Sequence, residues 1–213
     1  MTTKYAFKQC SLNLLEELFD VREIPNMPML ANWLTQKADI SESEQQEIVD
    51  LQLELLENFR DWNETELAYN FIAPLIRLVN FSGENRKFFA ERPLSAKFGN
   101  IELGGKVDGL IASGKRVPKQ PYFCLHEYKK EEDPDGDPAG QVLAAMLVAQ
   151  ELNQHDQPVY GGYIKGSVWY FMVLQGLDYS ISNLYAATRE DIFEIFQILR
   201  TLKAMIAKMS IRQ

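Results

Sequence analysis

The segments 106-KVDGLI-111 and 121-PYFCLHEYK-129 decide the fold of this chain. Both are rich in apolar and β-branched or aromatic residues, which predicts β-strands, and the nearly unbroken apolar start of the second indicates a strand inside a sheet. Asp108 lies near the middle of the first strand, and Glu127 and Lys129 end the second. Alternate residues of a strand share a face, so Glu127 and Lys129 project together and Tyr128 points away. We infer that the two strands are neighbours.

The segments around this pair predict a meander, a helix, a hairpin and flanking helices. Further strands are expected at 87–93 and 95–103, separated from each other and from 106–113 by Pro93, by Gly99 and Asn100, and by Gly104 and Gly105. Asp137 and Pro138 predict the start of a helix that runs to about residue 153. Strands at 159–164 and 168–174 form a hairpin, and Thr188 and Asp191 indicate the start of a C-terminal helix.

The residues before the meander predict three helices. The first spans residues 12–20, and the second opens at Ser41 with Glu44 completing a capping box. The third begins near Asn63, with Pro74 as the expected kink. This order favours an α/β (α+β) fold in which helices cover both faces of a central mixed sheet. We expect a helical extension over residues 1–62, packed on a core over residues 63–213, as one compact domain.

Composition limits the functions that the chain can serve. The net charge of −8 argues against tight non-specific binding to duplex nucleic acid, which depends on many Lys and Arg contacts to phosphate. Two His and two Cys residues at distant positions do not make a zinc site, so a metal would be held by carboxylates. Because no apolar run is long enough to span a bilayer, we expect a cytoplasmic protein with no membrane contact.

The pair of acids and the lysine suit phosphodiester hydrolysis. That reaction requires an activated water and stabilisation of charge on the phosphoryl oxygens, which Mg²⁺ held by carboxylates provides. Asp108 and Glu127 are hard oxygen ligands, and Lys129 is placed to bring an ammonium beside the bound water. Gly109, next to Asp108, is expected to allow close approach of a ligand.

These features resemble the PD-(D/E)XK nuclease-like superfamily from Glu64 to about Tyr170, roughly half of the chain. The resemblance implies a restriction-endonuclease-like α/β/α sandwich that binds Mg²⁺ (or Mn²⁺) through Asp108 and Glu127 and acts on DNA or RNA. It implies that Lys129 assists water activation, that a glutamate on the preceding helix completes the site, and that Gln141 on the following helix assists. Glu64 and Glu66 both lie in the first turn of the helix that precedes the meander, and periodicity places Glu64 on the apolar side of that helix.

Three functional hypotheses follow. The first is a Mg²⁺-dependent phosphodiesterase, a nuclease, that uses the D-x18-E-x-K constellation. The second is a catalytically inactive nuclease-fold module that acts as a binding subunit, which the acidic charge favours. The third is a partner-dependent subunit, in which a homo-oligomer or another protein supplies the basic surface and the apolar C-terminal stripe is the assembly face.

Overall fold

The computed structural model describes residues 2–83, 86–130, 136–154 and 157–210. Helices and strands follow one another through these ranges in an order that mixes both types. In chain order they are β1 (Thr3–Ala6), α1 (Leu12–Phe19), β2 (Arg22–Glu23), α2 (Pro28–Thr35), α3 (Glu42–Asn58), α4 (Glu64–Leu67), α5 (Ala73–Val79), β3 (Arg86–Phe98), β4 (Ile101–Ser113), β5 (Lys119–Lys129), α6 (Pro138–Asn153), β6 (Val159–Lys165), β7 (Val168–Gln175), β8 (Asp178–Ile181), β9 (Tyr185–Ala186) and α7 (Asp191–Ser210).

The strands form one mixed sheet in the order β1-β4-β5-β6-β7-β8-β2, with β3 paired to β4 and β9 paired to β7. The β1–β4, β5–β6 and β2–β8 pairs are parallel, and the other pairs are antiparallel. The predicted central mixed sheet is therefore confirmed. The inferred proximity of the strands that carry Asp108 and Glu127 is also observed, because β4 and β5 are direct neighbours.

Two hydrophobic cores, one on each face of the sheet, make the fold an α/β/α sandwich. The first core lies under α2, α3, α5 and α7 and contains the wholly buried Trp33, Phe71 and Phe196. The second lies under α1 and α6 and contains Leu103 and Met146. Among the described residues, no helix is both long enough and apolar enough to cross a membrane.

The meander differs from the three strands that the sequence predicts. The turn at Gly99 and Asn100 is present, but β3 and β4 each run unbroken for 13 residues. Pro93 is accommodated within β3, which among the described strands pairs only with β4 and is thus an edge strand. Gly105 lies inside β4. A Cβ at this position would stand 2.7 Å from the Phe7 ring, so only glycine leaves room for that ring. This glycine therefore permits close packing rather than a turn.

Residues 1–62 contribute strands as well as helices to the fold. The short strand β2 ends the sheet beside β8, and the short strand β1 pairs with β4 on the same edge as β5. The sequence did not reveal these roles because two and four residues show no alternation. Side chains from α2 and α3 belong to the same core as those from α5 and α7. The division at residue 62 stays a prediction.

The helix that precedes the meander is irregular in the middle. It begins after Asn63 as expected, since Asn63 Oδ1 accepts from the Glu66 backbone N–H and the Glu66 carboxylate accepts from the Asn63 N–H. A π-helical segment, Ala68–Ile72, separates α4 from α5. Pro74 follows directly, and because proline neither donates to the carbonyl four residues back nor tolerates its approach, the wider turn relieves the clash. The distortion is thus next to the expected kink.

Candidate active site

A cavity of about 460 Å³ lies between the irregular helix and the strands β3, β4 and β5. Its walls combine three carboxylates with apolar and aromatic side chains. They are Glu64, Thr65, Ala68, Tyr69, Ile72, Ala73, Phe88, Ala90, Glu91, Asp108 and Tyr128. Since π-helical segments are frequent at functional sites, the position of Ala68–Ile72 in this wall supports a functional role for the cavity.

Asp108 lies where β4 loses its strand partner on one edge. Strand β3 pairs along the whole of one edge of β4. On the other edge of β4, β1 pairs with Ile101–Gly104 and β5 pairs with Gly109–Ser113. Within the described residues, positions 105–108 have no strand partner on that edge. The Oδ2 atom of Asp108 accepts the Tyr128 backbone N–H at 2.7 Å and so replaces a ladder hydrogen bond. This contact fixes the carboxylate at the point where the strands diverge.

Lys129 links Glu127 to Glu64, which lines the cavity. Its Nζ lies 2.7 Å from Oε1 of Glu127 and 3.6 Å from Oε2 of Glu64. The side chains of Lys129 and Glu127 are only 14% and 11% exposed, so this ion pair is largely shielded from solvent. The structure therefore brings Glu64, Asp108, Glu127 and Lys129 into one charged cluster.

The structure separates the roles of the two candidate glutamates on α4. Glu66 is occupied by the capping box at Asn63, whereas Glu64 lines the cavity and approaches Lys129. The position of Glu64 agrees with the periodicity of the sequence. Gln141 is buried in the first turn of α6, and its backbone N–H donates to the Asp137 carbonyl. It does not line the cavity.

Gly109 serves packing in a way that the sequence did not indicate. A Cβ at this position would stand 2.6 Å from the Tyr128 hydroxyl and 3.0 Å from the Phe88 ring. The space beside Asp108 is thus filled by these two aromatic rings. Both rings line the cavity, so Gly109 shapes its wall instead of opening the backbone to a ligand.

Two residues of the cavity were not found from the sequence. Glu91 has φ of +48°, a left-handed conformation that costs a non-glycine residue free energy, and it stands in β3 opposite Asp108. Tyr69 is 75% exposed at the cavity wall, which is unusual for a large aromatic side chain. The backbone conformation of Glu91 and the exposure of Tyr69 depend on the tertiary structure, so the sequence pattern does not predict them.

Burial and mutual repulsion shift the pKa values of the cluster. Burial raises the pKa of Glu127 to about 7, and the charges of Asp108 and Glu64 add to this against the pull of Lys129. Burial also raises the pKa of Asp108, although the Tyr128 N–H and Lys129 lower it. Burial alone would lower the pKa of Lys129, but its hydrogen bond with Glu127 and the surrounding acids raise it. Lys129 therefore stays an ammonium at neutral pH.

The donor set fits a hard divalent cation. Within the described residues, no three or more His, Cys, Asp or Glu side chains are already arranged as a metal site. Mg²⁺, however, keeps several waters and usually takes only one or two carboxylates from a protein. Asp108 and Glu127 offer oxygen ligands only, and a cation would offset the burial and the repulsion from Asp108 that raise the pKa of Glu127. These two residues would hold the ion, with Glu64 beside them.

Comparison with known proteins adds no assignment to this site. A scan against models of protein families and a search of curated proteins each found no match to this chain. Its chemistry is therefore interpreted from the geometry of Asp108, Glu127, Lys129 and Glu64.

Proposed function

We propose that the chain is a divalent-metal-dependent phosphodiesterase that cleaves nucleic acid, with a site of the PD-(D/E)XK nuclease-like type. The observation that carries the proposal is the charged cluster in which Lys129 lies between Glu127 and Glu64 while Asp108 is fixed by the Tyr128 N–H. Perturbed acids that converge beside a cavity are a recognised sign of catalytic sites.

Each residue of the cluster has a role in this reaction. Asp108 and Glu127 would hold Mg²⁺, which would supply positive charge at the phosphoryl oxygens and favour ionisation of the attacking water. Lys129, as a permanent ammonium, donates a hydrogen bond to the attacking water or to a phosphoryl oxygen, and it does not take up a proton. Glu64 holds the ammonium from the other side.

The cavity wall supports nucleic acid as the substrate. The exposed Tyr69 and the Phe88 ring present aromatic surface next to Asp108. Stacking on such rings binds bases without regard to sequence and is available to unstacked bases of single strands. We therefore expect single-stranded substrates to be cleaved in preference to duplex, which also suits a chain with net charge −8.

The test is an assay of oligonucleotide hydrolysis with Mg²⁺ or Mn²⁺ against a chelator control. Wild-type protein should release shorter products only with metal. Asp108→Asn, Glu127→Gln and Lys129→Met should each lower the rate on the order of 10²-fold or more, because each removes a charge from the site of the developing charge. Calorimetric titration with Mn²⁺ should show weaker metal binding for the two acid variants than for Lys129→Met.

The matched control is Glu54→Gln, which makes the same chemical change as Glu127→Gln on the exposed face of α3. It should keep the wild-type rate and the wild-type affinity for Mn²⁺. Cleavage that persists in Asp108→Asn, or that falls equally in Glu54→Gln, would contradict the proposal.

A binding module without hydrolysis is the second candidate, favoured by one observation. Lys129 is already paired with Glu127 at 2.7 Å, so its ammonium has a partner without a ligand. In this case a homo-oligomer or a protein partner would supply basic surface for DNA or RNA. Wild-type protein that binds an oligonucleotide, with or without Mg²⁺, but never cleaves it would favour this candidate.

A further inference from the structure

A second cavity, of about 480 Å³, lies beside α7 and gathers positive charge in an acidic chain. We call it the basic cavity. It shares no wall residue with the candidate active site and is formed by α7, the segment after α2 and the start of β3. Its walls are Gln36, Lys37, Ala38, Arg86, Arg200, Thr201, Lys203, Ala204 and Ala207.

The charges in the basic cavity are mostly uncompensated within the described residues. Of its four cations, Arg200 pairs with the carboxylate of Glu44. The pKa of Lys203 is lowered by burial and then by the positive charges of Arg200 and Arg86, and the charge of Glu44 only partly offsets this. Among the described residues, the four cations of the cavity have only one ion pair, between Arg200 and Glu44, and such an excess of positive charge attracts an anion.

Two guanidinium groups at the cavity have a donor that the described protein leaves unused. The Nε atoms of Arg86 and Arg200 are both buried, and neither has a hydrogen-bond partner among the described residues. A buried donor without an acceptor costs free energy, so such groups usually indicate a missing partner. A ligand with several acceptor oxygens in the cavity would offer such a partner.

Hydrogen bonds hold the walls of the basic cavity in place. The Thr201 hydroxyl donates to the Gln36 carbonyl, and the Gln197 amide donates to the Ala38 carbonyl, so the segment after α2 is fixed to α7. Lys203 Nζ donates to the Val79 carbonyl at 3.0 Å, and the Arg200 guanidinium lies 5.0 Å from the centre of the Phe196 ring. Side chains that are already ordered lose less entropy when they bind a ligand.

We propose that the basic cavity binds a phosphate group through Arg86, Lys203 and Lys37. Guanidinium groups match the geometry of phosphate oxygens, and a lysine adds a point charge. The phosphate is either that of a small anion or that of a nucleic acid strand, and the chemistry of recognition is the same for both. The proposal is independent of the hydrolytic function, because it uses none of the residues of that site.

The experiment is a calorimetric titration at low ionic strength with two probes, pyrophosphate and a 12-nucleotide oligothymidylate. Arg86→Gln and Lys203→Gln should each weaken the binding of whichever probe binds by about tenfold, as expected for loss of one charge-assisted contact. Lys208→Gln, a matched change at an exposed position of α7 outside the cavity, should leave it unchanged. Chelator in the buffer prevents hydrolysis from contributing.

A measurement on wild-type protein avoids dependence on variants that fail to fold. Phenylglyoxal modifies accessible arginines, and mass spectrometry reads the extent at each site. Pyrophosphate or the oligonucleotide should protect Arg86, while the exposed Arg116 keeps its wild-type reactivity.

Each outcome decides the proposal. Pyrophosphate binding with loss in both cavity variants supports a site for small anions, and oligonucleotide binding alone, with the same losses, supports a site for a strand. If neither probe binds or protects Arg86, or if Lys208→Gln weakens binding as much as the cavity variants, the proposal is overturned.

Discussion

At the scale of single residues, the charged cluster fixes the protonation of its members. Lys129 is surrounded by Glu127, Glu64 and Asp108, so its ammonium is stabilised although it is mostly buried. Burial disfavours the ionised form of Glu127, and its pKa is therefore raised to about 7. When a buried acid of this kind is ionised, it destabilises the native state. This effect is measurable as a lower free energy of unfolding.

We predict that Glu127→Gln stabilises the metal-free protein above neutral pH. The unfolded chain releases the Glu127 proton near the ordinary value of 4.5, whereas the native chain holds it to about 7. Within that window the unfolded state binds fewer protons, so the wild-type free energy of unfolding falls as pH rises. The variant lacks this fall and should exceed wild type by about 1 to 3 kcal/mol at pH 8.

Urea unfolding in a chelating buffer, repeated from about pH 4.5 to pH 8, checks this prediction. The difference in free energy of unfolding between Glu127→Gln and wild type should be small at about pH 4.5 and grow up to about pH 7. Glu54→Gln serves as the control because its carboxylate is exposed. A difference that does not change with pH would show that the Glu127 carboxylate is not the cause.

At the scale of helices and strands, Asp137 caps two helices at once. Its Oδ1 accepts from the Gly140 N–H at the start of α6, and its Oδ2 accepts from the Leu12 N–H at the start of α1. Gly140 allows this approach, since a Cβ there would stand 2.6 Å from backbone atoms of Ser11. The sequence predicts the first cap and gives no sign of the second.

We predict that Asp137→Ala lowers the free energy of unfolding by about 2 to 3 kcal/mol, more than the loss of an ordinary N-cap, because an acceptor is lost at two helix starts. The free energy of unfolding of Asp137→Asn should lie between those of Asp137→Ala and wild type, since the amide retains one acceptor oxygen. Chemical denaturation followed by circular dichroism measures both. Asp61→Ala, an exposed aspartate outside any cap, is the control, and equal costs at Asp61 and Asp137 would contradict the double cap.

The elements that the sequence predicts well are those with local signals. The helix starts at Ser41, Asn63 and Asp137 follow from capping residues, and the hairpin of β6 and β7 follows from its turn. The continuity of β3 and β4 through Pro93 and Gly105 could not be predicted, because it depends on an edge position in the sheet and on the Phe7 ring. The strained Glu91 and the basic cavity depend likewise on contacts between distant segments.

At the scale of the whole molecule, the first 62 residues are tied to the rest through shared cores. The Trp33 Nε1–H donates to the Ile198 carbonyl at 2.9 Å, and its ring meets those of Tyr160 and Phe171 edge to face. The Gln52 amide donates to the carbonyls of Ala187 and Arg189. These contacts cross the boundary that was expected near residue 62.

We predict that the chain unfolds in a single cooperative transition. Circular dichroism and tryptophan fluorescence should give coincident urea curves, as in two-state unfolding of one domain. A fragment of residues 63–213 should not fold to native-like structure, because it would expose the core face that Trp33, Ile48 and Leu55 cover. Two separate transitions, or a folded fragment, would instead establish residue 62 as the boundary of an independent unit.

The double cap at Asp137 also has a consequence for the order of events during synthesis on the ribosome. The acceptor for the Leu12 N–H is 125 positions later in the chain, and the partner of Trp33 is 165 positions later. The early helices therefore emerge long before the surfaces that stabilise them exist, and isolated helices of eight residues are marginal in water. Until α7 has left the exit tunnel, Trp33 and its neighbours remain a target for chaperones that bind exposed apolar segments.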